Sequence, residues 1–209
     1  MKVKIYVEGG GDRASDQSHC RKGFRELIEK MGFRGRMPAI VASGGRDKAY
    51  KAFEIATTHV KDKDTLALLL VDSEEPLVKW HESSPAALAW DHVKTRDNWV
   101  RPHGVDDDQL QLMVTCMETW IMADQETLKK YFGRNLHTRS LLFLGDLESQ
   151  SRHDVKKSLE DATRDCGEGK KYAKGRRSFE ILSKLDPNTL ELHLSYFRRF
   201  KQALNRFLE

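Results

Sequence analysis

The sequence predicts an α/β protein built on a mainly parallel sheet flanked by helices, with a helical extension at the C-terminal end. Three observations carry this. Short apolar runs alternate with stretches of helical periodicity from residue 3 to residue 71, in the order βαβαβ. That order is typical of parallel strands joined by right-handed crossovers. The run Leu66-Ala67-Leu68-Leu69-Leu70-Val71, bounded by Asp64 and Asp72, has no polar interruption, as expected of a central strand buried on both faces. Beyond residue 135 apolar residues recur mainly at helical spacing. The expected division is an α/β core over residues 1–135, with an irregular insertion at about 76–108. The helical extension over 136–209 packs on that core as part of the same domain.

The first strand runs over Val3, Ile5 and Val7 into Glu8, and then into Gly9, Gly10 and Gly11. It reads as a buried parallel strand. A helix follows, with Cys20, Phe24, Leu27, Ile28 and Met31 at helical spacing, Asp16 or Ser18 as its cap and Gly32 as its stop. Residues 38–42 form a short second strand. Ser43-Gly44-Gly45-Arg46-Asp47 is the turn after it. Tyr50, Phe53, Ala56 and Val60 mark the second helix, and the apolar run from Leu66 is the third strand. Within the insertion, residues 86–93 suggest a short helix. Leu110, Leu112 and Val114 alternate as in a strand over residues 109–116. Residues 117–123 read as a helix that buries Trp120 and Ile121. Asp124 caps the next helical turn, which carries Leu128, Tyr131 and Phe132 and stops at Gly133. Later helices are marked by Val155, Leu159 and Ala162, by Phe179, Ile181 and Leu182, and by Leu194, Phe197, Phe200, Leu204 and Phe207. Residues 166–177, rich in glycine, lysine and arginine, read as a loop.

Composition narrows the function. The 209 residues carry a net charge of +4, which permits a nucleic-acid partner without demanding one. Three cysteines, Cys20, Cys116 and Cys166, lie far apart with no CxxC pair, so neither a disulfide framework nor a zinc ribbon is indicated. A reducing, cytoplasmic setting fits. The opening apolar run is too short for a signal peptide, and no stretch is long enough to span a bilayer. No HExxH spacing and no GxxxxGK[ST] motif is present, which argues against zinc-protease chemistry and a P-loop.

The acids carry the chemical argument. The third strand ends as the first does, on carboxylates: Asp72-Ser73-Glu74-Glu75. In a parallel βαβαβ sheet these strand ends share one edge, where ligands gather. Glu8, Asp72 and Glu74 are therefore expected to converge. Clustered carboxylates repel, and a hard divalent cation such as Mg²⁺ or Mn²⁺ relieves the repulsion. The competing reading for each acid is a turn residue or a helix cap.

Glu8 with Gly9 after the first strand, and the acid-x-acid triplet Asp72-Ser73-Glu74 after the third, resemble the TOPRIM signature. The resemblance extends to a small bacterial TOPRIM-like family, domain of unknown function 4276. There the matching segments are residues 117–124, 174–182 and 197–208. The resemblance implies a Rossmann-like fold with Mg²⁺ or Mn²⁺ on the acidic edge. It implies phosphodiester hydrolysis in DNA or RNA, possible antiphage defence, and an ABC-type ATPase as partner. Glu8 matches the general acid/base and metal ligand, and Asp72 the first metal-binding aspartate. Glu74 stands where the second is usually aspartate, one methylene shorter; Glu75 is a possible substitute. Glu118 and Asp124 match the additional acids of OLD-type nucleases.

Arg46 and Lys48, in the turn after the second strand, are placed to touch phosphate, against a plain helix-entry turn as the alternative. Lys170, Lys171, Lys174, Arg176 and Arg177 form the densest basic cluster, and in a nuclease it grips the nucleic-acid backbone. A solvated loop is the bland alternative. Trp120 reads as core, and Trp80, Trp90 and Trp99 as packing or interface residues before base-stacking ones. Three functions compete: a metal-dependent nuclease, a non-catalytic module that docks on an ATPase, and a nucleotide-binding protein.

Overall fold

In the computed structural model, which describes residues 2–58, 64–85, 87–167 and 169–209, the first strand is β1 (Lys2–Val7). It pairs in parallel with β2 (Ala39–Ala42) on one side and with β3 (Thr65–Asp72) on the other. β4 (Leu110–Met113) lies outside β3, also parallel, giving the order β2-β1-β3-β4. Val7 lies opposite Ala42 and Leu70, and Asp72 opposite Met113. All four strands therefore end on one edge, as the βαβ order requires.

Alternation along β3 splits the core. Leu68 and Leu70 face one apolar cluster, while Ala67, Leu69 and Val71 face the other. The smaller cluster is closed by α2 (Arg46–Thr58) and α3 (Leu88–Asp97). The larger one is closed by α1 (Ala14–Ile28) and by helices after the sheet. β1 is buried on one face only. Val3, Ile5 and Val7 are buried, but Lys2 and Lys4 are exposed, since α2 covers only the upper part of its second face. Pro38 is outside β2, in keeping with its missing N–H.

α1 starts earlier than Asp16. Arg13 is the cap residue and Asp16 lies in the first turn, where its charge favours the helix N-terminus. α1 runs into a π-helical turn over Glu29–Phe33 in which Gly32 takes φ +97°. Val60 and Ala86 fall outside the described residues. The insertion is less irregular than expected, because α3 is a full helix. β4 is shorter than the 109–116 span and is buried along its whole length. Its outer edge is covered by α9 (Ser195–Leu208). Arg199 of α9 donates there to the Leu110 carbonyl (2.7 Å).

After β4 come α4 (Met117–Ala123), α5 (Gln125–Phe132), α6 (Arg152–Thr163), α7 (Arg176–Leu182) and α8 (Pro187–His193). α8 has no counterpart in the sequence reading. Every residue of α4 is buried. Trp120 sits at its centre, edge-on to Phe197 at 4.9 Å. Burying Phe197 and Phe200 of α9 completely contributes about 1.5–3 kcal/mol each, which docks a helix that would be marginal alone. The extension thus shares its core with β1 and β3. Among the described residues no helix is long and apolar enough to cross a membrane.

Candidate metal centre

The sheet edge gathers the acids. Glu8 follows β1 directly, and its N–H donates to the Leu70 carbonyl (3.0 Å). Its carboxylate reaches across to β3, where Oε2 accepts the Asp72 N–H (3.2 Å). Asp72, the last residue of β3, is buried. Its Oδ1 accepts the Met117 N–H at the start of α4 (2.8 Å). Glu74, two residues on, completes the set. Glu8, Asp72 and Glu74 each offer one carboxylate oxygen, and the three oxygens all lie within 4.8 Å of one another.

The electrostatics follow from this crowding. Burial, then the charge of Glu8, then that of Glu118 push the Asp72 carboxyl up to about 7; Lys174 and Arg152 oppose the shift. A carboxyl raised in this way carries its charge comfortably only beside a cation. Glu118, fully buried, accepts a hydrogen bond from the Tyr172 hydroxyl on Oε1 (3.2 Å), while its Oε2 has no hydrogen-bond partner. A hard, all-oxygen donor set of two or three carboxylates suits Mg²⁺ or Mn²⁺. An orphaned buried acceptor beside it, Glu118 Oε2, also fits a cation there. The residues present fit such an ion.

Basic side chains surround the acids. Arg46 opens α2 with its guanidinium 4.6 Å from the Trp99 ring, and Trp99 in turn stacks on Tyr50 at 4.4 Å. Asp97 pins the guanidinium through both oxygens (3.2 and 2.6 Å). Nη1 donates to the Asp72 carbonyl and lies 3.8 Å from Glu8. Arg46 is thus spent on holding the acidic edge, which corrects its assignment as a phosphate contact. Arg152 of α6 forms an ion pair with Glu74.

The cleft beside the acids has a volume of about 360 Å³. Glu8, Asp72, the glycine turns, Lys174, Gly175 and Phe179 line it. Gly9 and Gly44 exchange backbone hydrogen bonds (2.8 and 3.0 Å), which locks the turn after β1 to the turn after β2. Gly10 has φ +82°, and a Cβ there would sit 2.8 Å from the Gln17 Cα. Gly10→Ala is therefore expected to destabilise the protein by roughly 2–4 kcal/mol, combining left-handed backbone with backbone overlap. Gly11, at φ +51°, has nothing within 4 Å of such a Cβ, so Gly11→Ala should cost about 1–2 kcal/mol. Urea denaturation of both variants checks the ordering.

The remaining expectations divide. Lys174 reaches the cleft, whereas Lys170 and Lys171 are exposed on the loop before it. Arg176 pairs with Glu180 (2.7 Å), and Arg177 ties down the carbonyls of Lys171 and Gly169. Lys48 pairs with Asp12 on the surface. Asp124 is not in the acidic cluster. Its Oδ1 caps α5 through the Thr127 N–H (2.9 Å), and its Oδ2 accepts the Asp186 N–H (2.9 Å) at the entry to α8. With both oxygens committed, the cap reading stands and the metal-ligand reading falls. Trp90 and Trp99 are buried, so packing prevails over base stacking. Tyr172 shows that the glycine-rich loop is anchored, since its ring is buried against the core.

Arg152, Asp97 and Tyr172 escaped the sequence reading. Each earns its place through a partner more than 50 residues away or on another element, and only the buried aromatic in a basic loop left any local trace. A search of curated proteins and one of solved structures each returned no match. A family model described as domain of unknown function DUF4276 matches residues 7–205. That span begins at the last residue of β1 and takes in every acid and base of the cleft, and the chain belongs to the DUF4276 family.

Proposed function

We propose that this protein is a divalent-cation-dependent phosphodiesterase acting on DNA or RNA. The observation that carries the reading is the convergence of the Glu8, Asp72 and Glu74 oxygens within 4.8 Å, in a cleft that Lys174 also lines. The resemblance of both acidic signatures to TOPRIM points the same way. When bound, Mg²⁺ or Mn²⁺ supplies Lewis-acid polarisation of a phosphate oxygen and lowers the pKa of water.

The chain's own residues do the rest. The Met117 N–H fixes the rotamer of Asp72, and the Asp72 N–H fixes that of Glu8. Arg46 holds the Asp72 carbonyl. Lys174, in the lining of the same cleft, offers an ammonium to the phosphate, where developing negative charge is met. Phe179 and Met117 supply the apolar part of the lining.

The test is incubation with plasmid, single-stranded DNA and transfer RNA, in Mg²⁺, Mn²⁺ or EDTA. Cleavage should need the metal and vanish in Glu8→Ala and Asp72→Ala. Lys174→Ala should lower kcat/KM by about 10²-fold or more, as loss of one charge-stabilising donor does elsewhere. Metal-independent cleavage, or full activity in Asp72→Ala, would overturn the proposal. Undiminished nucleic-acid binding without cleavage in every condition would favour a binding module.

A further inference from the structure

Glu74 sits in left-handed backbone, at φ +68°. Left-handed backbone is strained for a glutamate, and such residues collect at working sites. Two contacts hold it. Its N–H donates to the Thr115 carbonyl (2.9 Å), and its carboxylate pairs with Arg152. Thr115 also steers the other partner, because its Oγ1 donates to the Gln150 carbonyl (3.2 Å) just before α6. Arg152 itself is only half used. Its Nε is buried with no hydrogen-bond partner, although a guanidinium offers five donors in a planar fork. The site therefore contains an orphaned donor on Arg152 and an orphaned acceptor on Glu118.

Competition for Glu74 gives this arrangement a direction. Glu8, Asp72 and Glu74 face Arg46, Arg152 and Lys174, with Glu118 beside Asp72 and Asp97 held on Arg46. A divalent ion on the carboxylates competes with Arg152 for Glu74 and repels the guanidinium. A phosphodiester gives the displaced guanidinium a new partner, since its oxygens match the fork.

We propose that Arg152 is an exchange residue, which pairs with Glu74 in the cation-free protein and turns to the substrate phosphate once a divalent cation takes Glu74. The proposal rests on the phosphodiesterase reading and adds to it an order of binding, cation before nucleic acid, and a phosphate-contacting residue outside the basic loop. Arg152 then opposes cation binding and favours substrate binding, and these two effects are separable.

The experiment is isothermal titration of the full chain with Mn²⁺ alone, followed by titration in Ca²⁺ with a phosphorothioate single-stranded oligonucleotide. Arg152→Met keeps much of the side-chain length and removes the charge. It should bind Mn²⁺ about tenfold more tightly than the wild type and the oligonucleotide about tenfold more weakly, in the range seen when groups behind a metal ligand are changed. Arg152→Lys should fall between the two for both ligands, and circular dichroism of each variant checks folding. Mn²⁺ affinity that is unchanged or weaker in Arg152→Met would make Arg152 a prop for Glu74 and overturn the exchange. If Asp72→Ala abolishes Mn²⁺ binding while Arg152→Met leaves it unaltered, only the exchange fails. If the wild type binds no Mn²⁺, the metal centre fails and the exchange with it.

Discussion

Asp72→Asn should abolish cation binding and cleavage while making the cation-free protein more stable at pH 8. The two effects share one cause. The Asp72 carboxyl is raised from an ordinary value of 3.8 to about 7, chiefly by burial and then by Glu8 and Glu118. Between those values the folded protein holds a proton that the unfolded chain releases. Stability from this group therefore grows as pH falls through 7 toward 4, and above 7 the burial of a charged carboxylate weighs in full. The difference of about 3 units sets an upper bound near 4 kcal/mol. Asparagine keeps an oxygen for the Met117 N–H and removes the charge. A gain on the order of 2 kcal/mol at pH 8 is expected, raising Tm by about 4–8 °C in a domain of this size. The wild type should melt higher at pH 5.5 than at pH 8 in EDTA, and Mn²⁺ should raise its Tm at pH 8. The variant should lose the Mn²⁺ response and much of the pH dependence. Melting of Asp72→Asn below the wild type at pH 8 in EDTA would show that the acid is already neutralised by Lys174 and Arg152.

Arg199→Ala should produce the largest loss of stability. Arg199 is buried, and its guanidinium donates to the carbonyls of Leu110 (2.7 Å) and Asp107 (3.1 Å) and to Gln111 Oε1 (3.2 Å). Asp108 lies 3.4 Å away. These contacts seal the free edge of β4, which would otherwise offer its backbone to another strand. Removing the side chain strands several acceptors and leaves a cavity, a loss of about 3–5 kcal/mol. At about 2–4 °C per kcal/mol, Tm should fall by roughly 6–20 °C. Arg199→Lys lacks the fork and should recover less than half of that. Aggregation during refolding should rise, as the uncovered strand predicts. Cation affinity should fall as well, since β4 braces the acidic edge through the Met113 carbonyl, which accepts the Ser73 N–H (3.0 Å). Chemical denaturation measures the first effect, and calorimetric Mn²⁺ titration the last. A loss below 1 kcal/mol would mean that α9 seals the edge without its arginine.

What the sequence revealed was what local pattern encodes. Strand identity and direction followed from runs such as residues 66–71, and direction alone put Glu8 and Asp72 on one edge. Residues 117–123 were legible as a helix because their apolar content exceeds what a loop tolerates. Asp124 displayed both a cap pattern and a ligand pattern, and local geometry decided for the cap. Arg46 was misread because its partner, Asp97, lies 51 positions away in the insertion, and no spacing rule connects the two. β4 was drawn too long, and its cover by α9 was not legible, since that helix comes from much later in the chain. The part of the cleft lining near α7 was hidden for the same reason. Its basic residues were visible, but which of them faces the acids depends on how α7 meets α1.

That meeting is close. A Cβ on Gly23 of α1 would lie 2.8 Å from the Phe179 carbonyl, and the Phe179 ring lies against Gly9. The cleft thus takes its floor from the earliest strands and its roof from a helix made some 100 residues after Asp72. On the ribosome, where N-terminal segments emerge first, a nascent chain displays its carboxylates bare until the α7 segment follows. The cleft is completed only when that segment leaves the exit tunnel and folds back, so any reaction housed there waits for it.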